Sequence, residues 1–431
     1  MKAAILAGGK GTRLASITGD LPKAMAPIGG KPVLERQVEL LARHGVKEIV
    51  FLLGYRPESI QDYFGDGSRW GVRIETRIER EPLGTAGGLK EGETFLDEDF
   101  FCFNGDVMLD LDLEALADFH RRQAAVGTLV VHPNDHPRDS DLLETDRDGR
   151  VVAFHPRPHP EGACFRNLVN AGAFVFSPKI FSFLEKGVKA DLDKHIFPRL
   201  AQGGLLAAWN TGEYLKDMGT PERLAKVDAD FRNGKIARLN RRNPRPALFL
   251  DRDGVLNAFQ EPGYIKTPED FRMLPGAAEA VRRINQTDYL AILVTNQPAI
   301  ARGELSWSGL DRIHARMDFL LGEAGAKLDA VYFCPHHPDK GFTGEVLELK
   351  IPCECRKPRP GMILEAARDF NIDLARSWII GDHERDIKAG IAAGVRTCGV
   401  GPWQDGWAHP DRIAPDLTGA VESILRDVET S

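Results

Sequence analysis

The sequence predicts an α/β protein made of two doubly wound, Rossmann-like domains. Strand-length apolar runs alternate with amphipathic helical stretches along almost the whole chain, the rhythm of parallel sheets covered by helices on both faces. Two of these runs stop abruptly at glycine or aspartate, AILAGGKGTRL near the start and ALFLDRDGVLN more than two hundred residues later. A length of 431 residues exceeds what one ordinary core accommodates.

The elements follow in order. In the first stretch AAILAG, EIVFLLG and FFCFNGD read as strands, and VLERQVELLARHG and PESIQDYFG as helices with one apolar face. Residues 232–247, RNGKIARLNRRNPRPA, break the rhythm with arginine, asparagine and proline and no packed apolar face, so an exposed linker is expected. The rhythm then restarts with ALFLDRDG, a helix around GAAEAVRRIN, the strand LAILVTNQ, a helix around SGLDRIHARMDFLLGEAG, the strand AVYFCPH, a helix after PGMILEAARDF and the strand SWIIGD. The expected division is a domain over 1–233, a linker over 234–246 and a domain over 247–431, without an internal repeat.

The chain is 42% hydrophobic and 28% charged with a net charge of −7, a balance that speaks against a nucleic-acid partner. No apolar run approaches the roughly 18 to 20 residues of a membrane helix, and the N-terminus enters a strand without a signal-peptide layout. A cytoplasmic protein with small-molecule substrates is expected. Six cysteines in so long a chain do not make a disulfide framework, yet three of them cluster as CPH and CEC.

The first chemical signal is AILAGGKGTRL, a strand ending at Ala7 and followed by Gly8, Gly9, Gly11, Thr12 and Arg13. Glycines let the backbone turn sharply and bring its N–H groups against phosphate oxygens. Such a turn alone can be a plain strand-to-helix connection, but LPKAMAP adds Lys23 flanked by prolines, a cation held where a triphosphate needs neutralising. EPLGTAGGL places Gly84, Thr85, Ala86, Gly87 and Gly88 at a helix entry, where backbone can approach a base. NGD ends a strand in Asp106, from which a carboxylate can reach a divalent cation or merely cap a helix.

With YLKDMGTPERL, these motifs make the first 230 residues resemble the sugar-phosphate nucleotidyltransferases, in particular the mannose-1-phosphate and heptose-1-phosphate guanylyltransferase group. The resemblance implies attack of a sugar 1-phosphate oxygen on the α-phosphorus of a nucleoside triphosphate, with release of pyrophosphate. It implies that Ala7, Gly8, Gly9, Gly11, Thr12 and Arg13 hold the triphosphate beside Lys23. Gly84, Thr85, Ala86, Gly87 and Gly88 would line the base and sugar pocket, Asp106 and Asp217 would hold magnesium, and Asn170 would touch the sugar. One departure is FHPRP, where His155 and Arg157 stand in place of a Glu-Lys-Pro, so that Arg157 takes the position of a phosphate-gripping lysine. LGTAGGL resembles both guanylyl- and uridylyl-transferring relatives.

The second signal is LFLDRDGVLN. Asp251 and Asp253, two residues apart at a strand end, point to one side. Asp251 is suited to act as nucleophile beside a cation, and Asp253 as general acid and then base. Thr295 and Asn296 end the strand LAILVTNQ with groups for phosphate oxygens, CRKPRPGM offers Arg356 and Lys357, and SWIIGD ends in Asp382. In that order these elements resemble the haloacid dehalogenase phosphatases, which implies magnesium bound by Asp251, Asp253 through its carbonyl, and Asp382, with Thr295 and Lys357 screening the phosphoryl charge.

Cys334, His336, Cys353 and Cys355 supply three thiolates and an imidazole, the ligand set of a closed structural zinc, with the adjacent His337 as a competitor. Together with DRDGVLN and TNQPAIARG, this loop resembles the heptose-1,7-bisphosphate phosphatases and their histidinol-phosphate phosphatase cousins. That resemblance favours His336 as ligand and implies that Arg302 and Arg356 bind substrate. Departures are Pro298-Ala299 for a usual Ser-Gly, and His383 for a frequent lysine.

The joint expectation is a bifunctional enzyme. It would strip the C7 phosphate from D-glycero-D-manno-heptose 1,7-bisphosphate and convert the heptose 1-phosphate to a nucleotide sugar, GDP-heptose with GTP as donor. The alternatives are a uridylyltransferase or other nucleotidyltransferase fused to a phosphatase of another sugar phosphate or of histidinol phosphate, or one domain serving only as a sugar-nucleotide sensor.

Overall fold

The computed structural model describes residues 1–14, 17, 19–259 and 263–429. It divides into two compact units. The first comprises Met1–Val131, Leu143–Phe154 and Asn170–Asn240, and the second His132–Leu142, His155–Val169 and Arg241–Ser431. Two short segments preceding the second apolar beginning are therefore grouped with the second unit, an arrangement that a linear division of the sequence does not show.

The first unit is built on β1 (Lys2–Ala7), whose residues Ala3, Ala4 and Ile5 are fully buried. Helix α1 (Val33–Arg43) follows, burying Val33, Leu34, Val38, Leu40 and Leu41. Then come β2 (Glu48–Leu53), α2 (Pro57–Phe64), β3 (Arg73–Ile78), α3 (Gly84–Lys90), β4 (Phe100–Asn104), β5 (Val107–Asp110), α4 (Leu113–Gln123) and β6 (Gly127–His132). The remainder is β7 (Leu142–Thr145), β8 (Val151–His155), β9 (Val169–Phe176), α5 (Phe197–Gln202), β10 (Leu206–Asn210), β11 (Tyr214–Asp217), α6 (Pro221–Arg232) and α7 (Lys235–Arg238).

Nine strands form one sheet with the path β8-β7-β9-β4-β1-β2-β3, and β6 joins β9 to β10. Strand β1 pairs in parallel with both β2 and β4. The loop leaving β1 therefore emerges where the strand order reverses, the usual ligand crevice of an open α/β sheet. The sheet is mixed, because β9 runs antiparallel to β4. The segment expected to be an exposed linker is partly packed: α7 buries Ile236 in a cluster with Leu14, Ile28 and Val227, and Asn240 Nδ2 donates to Asp110 Oδ1 at 2.7 Å. An isoleucine at the foot of a helix supplies the apolar contact that the surrounding arginines conceal in the sequence.

The second unit is built on β12 (Ala247–Leu250), α8 (Ala277–Asn285), β13 (Leu290–Asn296), α9 (Trp307–Glu323), β14 (Ala330–Cys334) and α10 (Gly361–Phe370). It closes with β15 (Trp378–Gly381), α11 (Glu384–Ala393), β16 (Arg396–Val400), β17 (Arg412–Ala414) and α12 (Leu417–Glu429). Its six strands are parallel in the order β14-β13-β12-β15-β16-β17. Alternate residues of β12 face opposite layers. Leu248 and Leu250 pack with Val281, Ile313 and Ile424, whereas Ala247 and Phe249 pack with Met362, Ile363 and Ala389. That is the doubly wound arrangement, with β12 at the reversal of strand order.

Among the described residues no helix is long and apolar enough to cross a membrane, and all six cysteines are free. Phe249 is wholly buried between β12 and its helices. Phe249→Ala is expected to cost about 3–5 kcal/mol, checked by denaturant unfolding with a probe in the second unit.

Candidate active sites

In the first unit the chain leaves β1 through Gly8 and Gly9, and Thr12–Leu14 make a short helical turn with Leu14 wholly buried. Gly11 has φ +64°, and a Cβ there would stand 2.6 Å from Lys23 Cβ, so only glycine lets the two loops close on each other. The Lys23 ammonium is ion-paired with Asp106. Asp106 directly precedes β5, whose first residue Val107 pairs with Asp217 of β11, and Met218 N donates to Asp106 O at 3.2 Å. The register thus brings the two predicted metal-binding aspartates to one end of one ribbon. Burial raises the Asp217 carboxyl, but hydrogen bonds from Arg223 and Gly219 and the charges of Arg223 and Lys23 bring it below the ordinary range. A Cβ on Gly219 would lie 3.4 Å from an Arg13 guanidinium nitrogen, which places Arg13 beside this ribbon end. The side chain of Thr12 lies outside the described residues.

Gly84–Gly88 do open a helix, yet part of their backbone is already engaged. Ala86 N and Gly87 N donate to Ala190 O at 2.9 and 3.4 Å, and Thr85 N donates to Asp191 Oδ1 at 3.4 Å. Thr85 Oγ1 accepts from Leu192 N at 2.8 Å. A residue that the sequence reading passed over, Glu79, stands between this helix and the glycine loop. Its carboxylate accepts from Leu83 N at 3.1 Å and lies 3.7 Å from where a Cβ on Gly8 would be; burial raises its pKa. Asn170 Nδ2 donates to Asp193 Oδ1 at 2.6 Å. Arg157 belongs to the segment grouped with the second unit, where its guanidinium donates to Asp139 O at 2.5 Å and pairs with Asp141 at 3.5 Å.

In the second unit Asp251, Thr295 and Asp382 all lie at the carboxyl edge of the sheet, because β12 pairs in register with β13 and β15. Asp251 N donates to Ile380 O at 3.0 Å. The Lys357 ammonium, 2% exposed, lies 2.8 Å from Asp251 Oδ1 and 2.6 Å from Asp386 Oδ1, and donates to Val294 O at 2.8 Å. Burial lowers its pKa, but the two carboxylates overcome that and raise it. The backbone at Lys357 is clasped by Asn296, whose Nδ2 donates to Lys357 O at 3.0 Å while Lys357 N donates to Asn296 Oδ1 at 3.1 Å. Asn296 therefore positions the lysine loop.

Asp253 has a different environment from Asp251. Its carboxylate accepts from the Arg252 guanidinium at 3.0–3.2 Å, from Asn257 Nδ2 at 3.0 Å and from Gln297 Nε2 at 2.9 Å. Burial raises its pKa, but Arg252, Asn257 and Gln297 hold it below the ordinary value. Gln297 also donates to Thr295 Oγ1 at 2.9 Å, which leaves the threonine hydroxyl proton to point elsewhere. Arg252 and Gln297 were missed in the sequence, although they sit inside the quoted DRDG and TNQ motifs.

Asp251, Asp382 and Asp386 present carboxylate oxygens within 4.8 Å of one another. Burial, followed by Asp251 and Asp386, pushes Asp382 up to about 7, and among the described residues its buried Oδ1 has no hydrogen-bond partner. Three crowded carboxylates with an orphaned oxygen fit a divalent cation with oxygen ligands. Asp386, a further residue missed, was detectable as the second aspartate of GDHERD, four residues after Asp382. The Asp253 side chain is turned to Arg252 and Gln297, so any part it has in holding the cation falls to its backbone carbonyl.

The second cluster unites Cys334, His336, Cys353 and Cys355. Cys334 Sγ lies 3.6 Å from both His336 Nδ1 and Cys353 Sγ, and Cys355 Sγ lies 3.3 Å from His336 Nδ1 and from Cys353 Sγ. Those separations match the edges of a tetrahedron around an ion with bonds of about 2.0–2.3 Å. Hydrogen bonding from Cys334, and then from Cys353 and His336, lowers the Cys355 thiol to about 5 against the effect of burial. His337 is otherwise engaged: Arg302 donates to its Nε2 at 3.1 Å, and its Nδ1 accepts from Asp339 N at 3.2 Å. Arg356 donates to His336 O at 3.2 Å and lines the pocket over Asp251 together with Asp253, Tyr264, Thr295 and Arg385. Lys357→Met would leave Asp251 and Asp386 buried without their cation; a loss of about 3–5 kcal/mol is expected in equilibrium unfolding.

Comparison with known proteins finds relatives of both units. The family model Nucleotidyl transferase matches residues 2–234, and a HAD-hydrolase-like model matches residues 354–420. A UTP–glucose-1-phosphate uridylyltransferase of Synechocystis sp. is 36% identical over 219 residues, covering 48% of this chain and 56% of that protein. A mannose-1-phosphate guanylyltransferase of Mycobacterium tuberculosis is 35% identical over 249 residues, covering 57% of this chain and 67% of that protein. The chain thus spans little more than half the length of the first of these relatives. A D-glycero-beta-D-manno-heptose-1,7-bisphosphate 7-phosphatase of Yersinia pestis is 42% identical over 152 residues, covering 35% of this chain and 78% of that protein. The chain belongs to the nucleotidyl transferase family and carries behind that domain a HAD-like domain of the heptose-bisphosphate 7-phosphatase family.

Proposed function

We propose that this protein removes the C7 phosphate of D-glycero-D-manno-heptose 1,7-bisphosphate and transfers GMP from GTP to the resulting heptose 1-phosphate, giving GDP-heptose. The observation that carries this reading is the pocket over Asp251. There a buried nucleophile, a buried ammonium and Arg356 converge, and Arg356 is delivered by the loop bearing the thiolate cluster. The product of such a phosphatase is a sugar 1-phosphate, the acceptor that a nucleotidyltransferase on the same chain requires.

In the phosphatase step Asp251 attacks the C7 phosphorus and the bond from phosphorus to the sugar oxygen breaks; Asp253, ionised in the resting site, takes up a proton as the substrate phosphate enters and gives it to that oxygen. Asp253 then takes a proton from water, which attacks the aspartyl phosphate, releases inorganic phosphate and restores Asp251. Thr295 and Lys357 offset the charge that gathers on the phosphoryl oxygens. Magnesium held by Asp251, Asp382 and the Asp253 carbonyl would supply further charge neutralisation. Asp386 adds a carboxylate to that site. In the transferase step Arg13, Lys23 and the Gly8–Gly11 backbone hold the triphosphate while the sugar phosphate displaces pyrophosphate, and Asp106 with Asp217 would hold a second magnesium. Zinc in the cluster of three cysteines and His336 would fix the Arg356 loop without entering the reaction. Such substrates place the protein in the cytoplasm.

The test is release of phosphate and pyrophosphate by the purified protein with magnesium, given α- or β-heptose 1,7-bisphosphate and GTP, ATP, UTP or CTP. Phosphate is expected first and pyrophosphate only with GTP; pyrophosphate with UTP instead would refute the guanylyl assignment. Asp251→Asn is expected to abolish phosphate release while sparing pyrophosphate release from added heptose 1-phosphate. Lys23→Met is expected to have the opposite effect, lowering nucleotidyl transfer by about 100- to 1,000-fold. Elemental analysis is expected to find one zinc per chain, lost in Cys353→Ser along with several degrees of thermal midpoint.

A further inference from the structure

The side chain of Arg385 has no part in the mechanism above, although it lines the same pocket as Asp251, Thr295 and Arg356. It stands in the first turn of α11, in the segment that begins with Asp382, and its backbone is fixed by donation of Arg385 N to His383 Nδ1 at 3.2 Å. The other cations of the site already have protein partners. Lys357 lies between Asp251 and Asp386, Arg252 grips Asp253, and Arg356 donates to His336 O. Arg385 makes no ion pair and no side-chain hydrogen bond among the described residues, and its Nε is buried without a partner.

A guanidinium that is partly desolvated and unpaired is costly to maintain, unless a ligand completes it. Its surroundings define that ligand. Burial disfavours its charge, and Asp251 is the largest of the attractions that overcome burial, ahead of Asp386 and Asp382. Arg385 and Asp251 line the same pocket, so an anion that enters it meets both. A group that arrives at Asp251 within reach of a planar fork of N–H donors, and that bears oxygens of its own, is a phosphoryl group.

We propose that Arg385 binds the phosphoryl group transferred to Asp251, donating to its non-bridging oxygens. This rests on the phosphatase reading. The guanidinium offsets the repulsion between the incoming phosphate dianion and the Asp251 carboxylate, a task that the already paired Lys357 performs only in part. Arg356, on the metal-cluster loop, remains for the rest of the substrate. Arg385 thereby serves any phosphate monoester that enters the pocket, whatever its second charged group.

The experiment compares the full-length wild type with Arg385→Ala and Arg385→Lys. It measures kcat and KM with magnesium on heptose 1,7-bisphosphate and on p-nitrophenyl phosphate, and binding of inorganic phosphate by calorimetry. Arg385→Ala is expected to lower kcat/KM on both substrates by about 30- to 300-fold and to weaken phosphate binding at least about tenfold. Arg385→Lys, which keeps the charge without the fork, is expected to recover part of the loss. A thermal midpoint equal to that of the wild type excludes misfolding of the alanine variant, and the lysine variant carries the comparison where the alanine variant does not fold. Activity of Arg385→Ala within threefold of wild type on both substrates overturns the proposal, as does a loss confined to the bisphosphate, which would assign Arg385 to the second phosphate. If the wild type hydrolyses neither substrate, the phosphatase reading fails, while Arg385-dependent phosphate binding still supports the anion site.

Discussion

The second unit is organised around one buried charge, the Lys357 ammonium between Asp251 and Asp386. None of the three would be tolerated alone in that position, since an isolated ion removed from water carries a penalty of several kcal/mol. Together they bind the ends of three separate elements. Asp251 follows β12, Asp386 lies in the first turn of α11, and Lys357 belongs to the loop between the thiolate cluster and α10. The central strands, the helix after β15 and the cluster loop are therefore fixed relative to one another by electrostatic necessity. The same arrangement keeps the Asp251 carboxylate inside the protein with its counterion beside it at the edge of the pocket.

The first unit solves a related problem by shape. Its glycine loop is drawn against Lys23 because Gly11 has no side chain, and Lys23 is in turn held by Asp106 at the edge of a two-stranded ribbon. The position of the Lys23 charge thus follows from a close backbone approach. The contrast with Lys357 is one of exposure: side-chain accessibility is 14% for Lys23 and 1% for Lys357. The more open site suits a large nucleotide, and the closed one suits a single phosphoryl group.

Much of this was legible in the sequence because the key groups sit at the ends of apolar runs. Asp251, Thr295 and Asp382 each terminate a strand, and parallel pairing of those strands is enough to assemble them. Asp386 and Arg385 were not legible in the same way, since their positions depend on how α11 is set against β15. The role of Gln297 depends on bonds to Asp253, in the loop after β12, and to Thr295 on β13. The choice between His336 and His337 needed the fold as well, because Arg302 occupies His337 from a distant part of the chain. Residues 132–142 and 155–169 are a further case: nothing in their composition marks them as part of the second unit.

The thiolate cluster has a consequence for how this protein can change. Its ligands close the loop between Cys334 and Cys353 at both ends, and the Asn296 clasp secures Lys357 just beyond it. The intervening residues are free of the task of holding Lys357 in place. Lengthening a loop that is already closed costs little, about 0.6 kcal/mol for each doubling. The segment between the ligand pairs can therefore gain or lose residues in descent while Asn296 and Lys357 keep their geometry, so its length is inherited separately from the pocket over Asp251.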